Sequence, residues 1–334
     1  MGTDTASAPP PSAEELEPLL EQHRRELTGY CYRMLGSAFE AEDAVQETMV
    51  RAWRALDRFA GRSSLRSWLY RIATNVCLDM LGQRDRRAMP MDMGPAAPPL
   101  EEHLRPLQES AFVEPIPDGR VLAADGDPAE QAVARETLRL AFVAALQHLP
   151  PRQRAVLILR EVLQWQASEV SELLDTSVQS VNSSLQRARA TIASKQVSEA
   201  EPLDPGDERQ RELLGRYLEA FERYDMEALT ALLAEDATQC MPPFDMWLDG
   251  RDNMITWWFG PGKECKGSRL VPTVANGLPA FGQYRPSGPN GEHQPWALQI
   301  LELRDGAITG FTAYLDTARM FPLFGLPASP PALH

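Results

Sequence analysis

Between Ser177 and Arg189 the chain sets Gln179, Asn182, Ser183, Gln186 and Arg187 within a few helical turns, and no acid interrupts residues 178 to 197. Carboxamides and hydroxyls can exchange hydrogen bonds with base edges in the major groove, and guanidinium groups pair with guanine or with phosphate. These residue types at that spacing suit DNA reading. A second group offers different chemistry. Asp43, Gln46 and Glu47 share one side of a helical pattern, while Ala44, Val45, Thr48 and Ala52 take the other. The result is an acidic ridge, beside which Met49 and Trp53 supply apolar anchors for a partner. A third group is basic: residues 51 to 87 hold nine arginines against Asp57, Asp79 and Asp85, a surplus of +6. Such a stretch attracts a nucleic-acid backbone by counterion release. A fourth is aromatic. Met241, Phe244, Trp247, Trp257 and Trp258 crowd one segment and would line an apolar pocket or an interface. Asp236, Asp245, Asp316 and His293 are ionisable candidates for a base in that part of the chain, and no local motif singles out any of them.

The elements that must carry these groups follow from periodicity. From residue 14 to about 90 apolar residues recur at helical spacing, with Leu65, Trp68, Leu69, Ile72, Val76 and Met80 as one stripe. Residues 131 to 197 form a second helical unit. In it, Val170, Leu173 and Leu174 mark a short helix with Ser168 as its expected N-cap. A tight turn at Asp175 follows, and Val178, Val181, Leu185, Ala188 and Ile192 give the inner face of a second helix. This reads as a helix-turn-helix; a plain helical hairpin with a solvated outer face is the alternative. Residues 91 to 130 are rich in proline and acid without a sustained period, and read as a linker of low order. Residues 207 to 330 open with a helical pattern running to Asp236 and continue as strands, with "RDG" at 304 to 306 marking a hairpin. The expected architecture is therefore multidomain: two all-α domains, then an α+β domain.

Composition narrows the class. A net charge of −14 argues against nucleic acid overall, yet the charge alternates by segment, so the basic patches stand out locally. No run suits a membrane span or a signal peptide, so a cytoplasmic protein without membrane contact is expected. Cys31, Cys77, Cys240 and Cys265 lie far apart and read as buried thiols; neither metal nor cofactor is expected.

At residues 149 to 190, "LPPRQRAVLILREVLQWQASEVSELLDTSVQSVNSSLQRARA", the chain resembles region 4 of the sigma-70 family, extracytoplasmic-function (ECF) group. "AEDAVQETMVRAWRAL", residues 41 to 56, and "SSLRSWLYRIATNVCLDMLGQRDRR", residues 63 to 87, resemble its region 2. The resemblance implies an alternative sigma factor that directs core RNA polymerase to promoters. It assigns Asp43, Gln46, Glu47, Met49 and Trp53 to the β′ clamp of the polymerase. Arg62, Ser63, Arg66, Arg71, Asn75, Asp79, Arg84 and Arg87 go to the −10 element, where Asn75 and Asp79 would read an unstacked base. Ser177, Gln179, Asn182, Ser183, Gln186, Arg187 and Arg189 go to the −35 element. The acidic linker would thread the polymerase cleft. No adjacent tryptophan pair stands at the melting position, only Trp68 and Tyr70, which implies weaker melting and stricter promoter choice.

Residues 213 to 259 and 301 to 320 resemble a SnoaL-like domain, a cone-shaped α+β fold, so the family likeness extends to sigma factors that carry one at the C-terminus. There it implies a regulatory module, with a small-molecule ligand or a separate anti-sigma factor as further partner, and no enzymatic activity. The rivals are a one-component helix-turn-helix regulator with a ligand-binding C-terminal domain and an enzyme with a SnoaL-like active site.

Overall fold

The computed structural model describes residues 13–55, 59, 64–83, 85–122, 133–195 and 200–331. The chain forms two compact units: residues 1–86 with 119–197, and residues 87–118 with 198–334.

The first unit is helical. Helices α1 (Ala13–Leu35), α2 (Ala38–Ala55) and α3 (Leu65–Leu81) pack as a bundle. On α2, Ala38, Ala41, Ala44, Val45, Thr48 and Ala52 are buried, the small-residue stripe that lets α1 approach closely. Ser64 caps α3 by accepting from the Ser67 amide at 3.1 Å. Tyr30 and Tyr70 meet edge to face at 5.1 Å, and the Tyr30 hydroxyl lies 2.7 Å from Thr74 Oγ1. Helices α4 (Leu140–Gln147) and α5 (Pro151–Leu157) follow, the latter running into a π-helical turn over Ile158–Val162. Arg154 joins this part to the bundle, because its guanidinium donates to the Met34 carbonyl of α1 as well as to Gln147 and Leu149.

Helices α6 (Ala167–Leu173) and α7 (Val178–Ala193) make the helix-turn-helix. Asp175 takes the left-handed conformation at the turn (φ 48°), as its short polar side chain tolerates. Two local expectations shift. Gln166, not Ser168, begins α6, its amide donating to the Glu169 carboxylate at 2.7 Å. Val178 is 43% exposed, because it sits in the first turn of α7 with no preceding turn to cover it.

The second unit is a six-stranded sheet: β1 (Leu233–Cys240), β2 (Trp247–Asp249), β3 (Arg269–Ala275), β4 (Leu278–Pro286), β5 (His293–Arg304) and β6 (Ala307–Tyr314), in the order β2-β1-β6-β5-β4-β3. Only the β1–β6 pair is parallel. Tight hairpins close at Asn276–Gly277 and at Asp305–Gly306, all four residues having positive φ. Helices α8 (Glu208–Arg223), α9 (Met226–Leu232), α10 (Arg251–Phe259) and α11 (Thr317–Leu323) complete the fold. The helical pattern expected to reach Asp236 breaks at Tyr224, which adopts φ 56° as the α8 C-cap, and becomes β1 from Leu233.

Residues 88 to 118 depart from the low-order expectation, since they run as a strap along the second unit. Trp247 Nε1 donates to the Gly94 carbonyl at 2.9 Å, and the Ala97 amide to the Trp247 carbonyl at 2.9 Å. The Leu107 amide donates to Pro243 O at 2.8 Å, and the Tyr314 hydroxyl to Val113 O at 2.9 Å. Ile116 and Asn276 exchange two bonds. Phe112, Val113 and Ile116 are fully buried and Ala88 and Met89 nearly so, and these apolar residues supply the strap's anchorage. Residues 123–130 of the expected linker lie outside the described residues.

Candidate functional site

The N-terminus of α7 is fixed by Ser177, whose side chain accepts from the Ser180 amide at 3.1 Å. Burial of Val181, Leu185 and Ala188 then decides which face turns outward. Ser177, Gln179, Asn182, Gln186, Arg187 and Arg189 are exposed and Ser183 is half-buried, so the expected reading residues share one accessible face. Their engagement differs. The Arg187 guanidinium donates to Ser184 Oγ at 3.2 Å, whereas Arg189 pairs with Glu161 at 2.5 Å.

On α2, Asp43 and Gln46 are exposed and Glu47 and Met49 half-buried. Trp53 is 51% exposed and borders a surface groove with Met49, Val50 and Leu20. An exposed tryptophan on a rigid helix beside carboxylates has the make-up of a protein-binding anchor. Arg51, not singled out from sequence, donates to Glu47 at 2.7 Å and to Asp79 at 3.3 Å, tying the ridge to α3.

On α3, Asn75 and Asp79 are exposed one turn apart. Arg66 donates to Glu26 at 2.8 Å, and its guanidinium lies 5.2 Å from the Tyr70 ring and 5.5 Å from that of Trp165. Arg71 donates to the Glu172 carbonyl of α6 at 2.8 Å. Arg62, Ser63 and Arg84 lie outside the described residues. Arg87 requires a correction. It is 3% exposed, donates to the Phe112 carbonyl at 2.7 Å and pairs with Glu114 at 3.6 Å, so it holds the strap rather than facing DNA. Its position at the end of an arginine-rich run concealed a partner 27 residues away.

In the second unit, Met241, Phe244, Trp257 and Trp258 line a cavity of about 300 Å³. Trp247 does not line it: its indole bonds the strap instead. Three buried glutamines that sequence reasoning missed, Gln239, Gln283 and Gln299, stand on the cavity wall. The Tyr217 hydroxyl donates to Gln299 Oε1 (2.8 Å), Gln299 Nε2 to Gln283 Oε1 (2.8 Å), and Gln283 Nε2 to Ser268 Oγ (3.0 Å). Asp236, Asp245, Asp316 and His293 are absent from the wall. Asp236 pairs with Arg304, which lowers its pKa through that hydrogen bond, and Asp316 lies near Arg319. Burial pushes the Cys265 thiol up, keeping it neutral on the wall. Among the described residues no group of His, Cys, Asp and Glu is placed to hold a metal.

Comparison with known proteins follows this division. Residues 19–87 match Sigma-70 region 2, residues 139–192 match Sigma-70 region 4, and residues 214–311 match the SnoaL-like domain. The ECF RNA polymerase sigma factor SigG of Mycobacterium tuberculosis is 45% identical over 317 residues, covering 92% of this chain and 83% of SigG. The chain belongs to the ECF RNA polymerase sigma factors.

This sigma factor is also 29% identical over 174 residues to the ECF sigma factor SigW of Bacillus subtilis, a match that spans 52% of this chain and 84% of SigW. The crystal structure of the extracytoplasmic-function sigma factor SigJ of Mycobacterium tuberculosis covers 95% of the chain at TM-score 0.59 and 22% identity, which shows a shared fold. As a sigma factor the protein directs core RNA polymerase to promoters and is not an enzyme. No helix among its described residues is long and apolar enough to cross a membrane.

Proposed function

We propose that the sigma factor holds the β′ clamp of core polymerase with Asp43, Gln46, Glu47, Met49 and Trp53. It reads the −35 element with Ser177, Gln179, Asn182, Ser183, Gln186, Arg187 and Arg189. It engages the −10 element with Arg66, Arg71, Asn75 and Asp79, together with Arg62, Ser63 and Arg84. Acting on RNA polymerase, it works in the cytoplasm. The observation that carries this reading is the outer face of α7, where amides and an arginine stand exposed on a rigid helix. Because Arg66 and Arg71 are engaged by Trp165 and by α6, their contact with DNA requires them to exchange those partners, whereas Asn75 and Asp79 are already exposed. The second unit, with the strap, modulates that activity.

Full-length protein with core polymerase is expected to start RNA from matching promoters in a promoter library; silence throughout would reject the reading. A gel shift that is strong without core polymerase would favour a self-sufficient regulator. Trp53→Ala is expected to weaken core binding about 30-fold, the roughly 2 kcal/mol of an interfacial tryptophan anchor. Titration of labelled protein with core polymerase checks this, and an unchanged Kd removes Trp53 from the interface.

A further inference from the structure

The cavity in the second unit is walled mainly by apolar groups, among them Phe311, Trp296 and Leu315, and one side is formed by Glu101 and Leu104 of the strap. Its volume of about 300 Å³ is roughly twice the ~150 Å³ that accepts one benzene ring, which gives room for two or three fused rings. Its polar groups are not equally occupied. The Gln283–Gln299 ladder is bonded to itself, to Tyr217 and to Ser268. Gln239 is 2% exposed and accepts from Trp258 Nε1 at 2.8 Å through Oε1, while its Nε2 has no hydrogen-bond partner among the described residues. On the cavity wall this amide N–H is a donor for an acceptor on whatever fills the cavity.

The arginine of the wall is already compensated, and the remaining charge on it is the exposed carboxylate of Glu101. Arg285 pairs with Glu264 at 3.0 Å and lies 3.7 Å above the Trp296 ring, and the Tyr224 hydroxyl donates to the Trp258 carbonyl at 2.6 Å. An anionic occupant would lose its hydration without gaining a counter-ion, and a cationic one would meet only the exposed Glu101. We propose that this cavity binds an uncharged molecule of two or three apolar rings bearing a hydrogen-bond acceptor, which Gln239 Nε2 recognises and which Leu104 of the strap covers. Occupancy then stabilises the docked strap, since the strap supplies part of the wall. That consequence for transcription rests on the regulatory reading of the second unit; the site itself does not.

Full-length protein is titrated with methyl naphthyl ketone, naphthalene and naphthoate, following quenching of tryptophan fluorescence. The ketone is expected to bind at least tenfold more tightly than naphthalene, which lacks the acceptor, and than naphthoate, which is charged. Gln239→Met is expected to erase the preference for the ketone while leaving naphthalene affinity within twofold, which also reports an intact cavity. Leu104→Arg, a change on the strap rather than in the sheet, is expected to weaken both neutral probes at least tenfold. No saturable binding by the folded chain, a ketone no tighter than naphthalene, or two variants that bind the ketone like the wild type would each overturn the proposal. Binding with no change in promoter output removes the regulatory reading and leaves the site; absence of binding removes the site whatever the output does.

Discussion

Arg154→Ala is expected to lower the stability of the helical unit by about 3–5 kcal/mol, measured by urea unfolding. Arg154 is 3% exposed and donates to Gln147 Oε1 at 2.6 Å, to the Gln147 and Leu149 carbonyls at 3.1 Å, and to the Met34 carbonyl. Alanine leaves these buried acceptors without the donors that the guanidinium supplies, and adds a void where the fork stood. The bonds join α1 to α4 and α5, so the damage falls on the junction of two helical groups rather than on a surface patch. Lysine is expected to recover little, because a single ammonium cannot reach acceptors spread around a planar fork. A loss below about 1 kcal/mol for alanine would show that these bonds carry little net free energy.

The second large effect is functional. Replacing Gln186 and Arg187 together by alanine is expected to cut run-off transcription from a matching promoter about 30-fold or more, from about 1–3 kcal/mol per base-reading side chain. Both side chains are exposed, so the fold should hold, and unchanged circular dichroism serves as the control. Arg189→Ala should cost less, because its guanidinium is already committed to Glu161 at 2.5 Å and must exchange that partner for DNA. A double variant that transcribes within threefold of wild type would sink the assignment of this face.

What the sequence disclosed, and what it hid, divides by distance along the chain. The outer face of α7, the ridge on α2 and the Asp305–Gly306 hairpin each depend on neighbours within a few residues, and their patterns could be read directly. Arg87, Trp247 and the glutamines of the cavity wall take their roles from partners on other strands or on the strap, where no local spacing records them. The linker misled for a related reason. Proline and acid correctly signalled the lack of a long helix or strand, but order without regular structure comes from scattered bonds to a remote domain. The apolar cluster "AFVEPI", residues 111 to 116, was a local hint that something would cover it.

The strap is made early in synthesis, whereas the sheet that receives it, beginning at Leu233, emerges only after the helix-turn-helix is complete. Until then Phe112, Val113 and Ile116 have no home. A chain cut after α7 keeps them naked for good, so it is a sticky fragment, and any change in its output mixes loss of the second unit with the behaviour of an orphaned greasy segment.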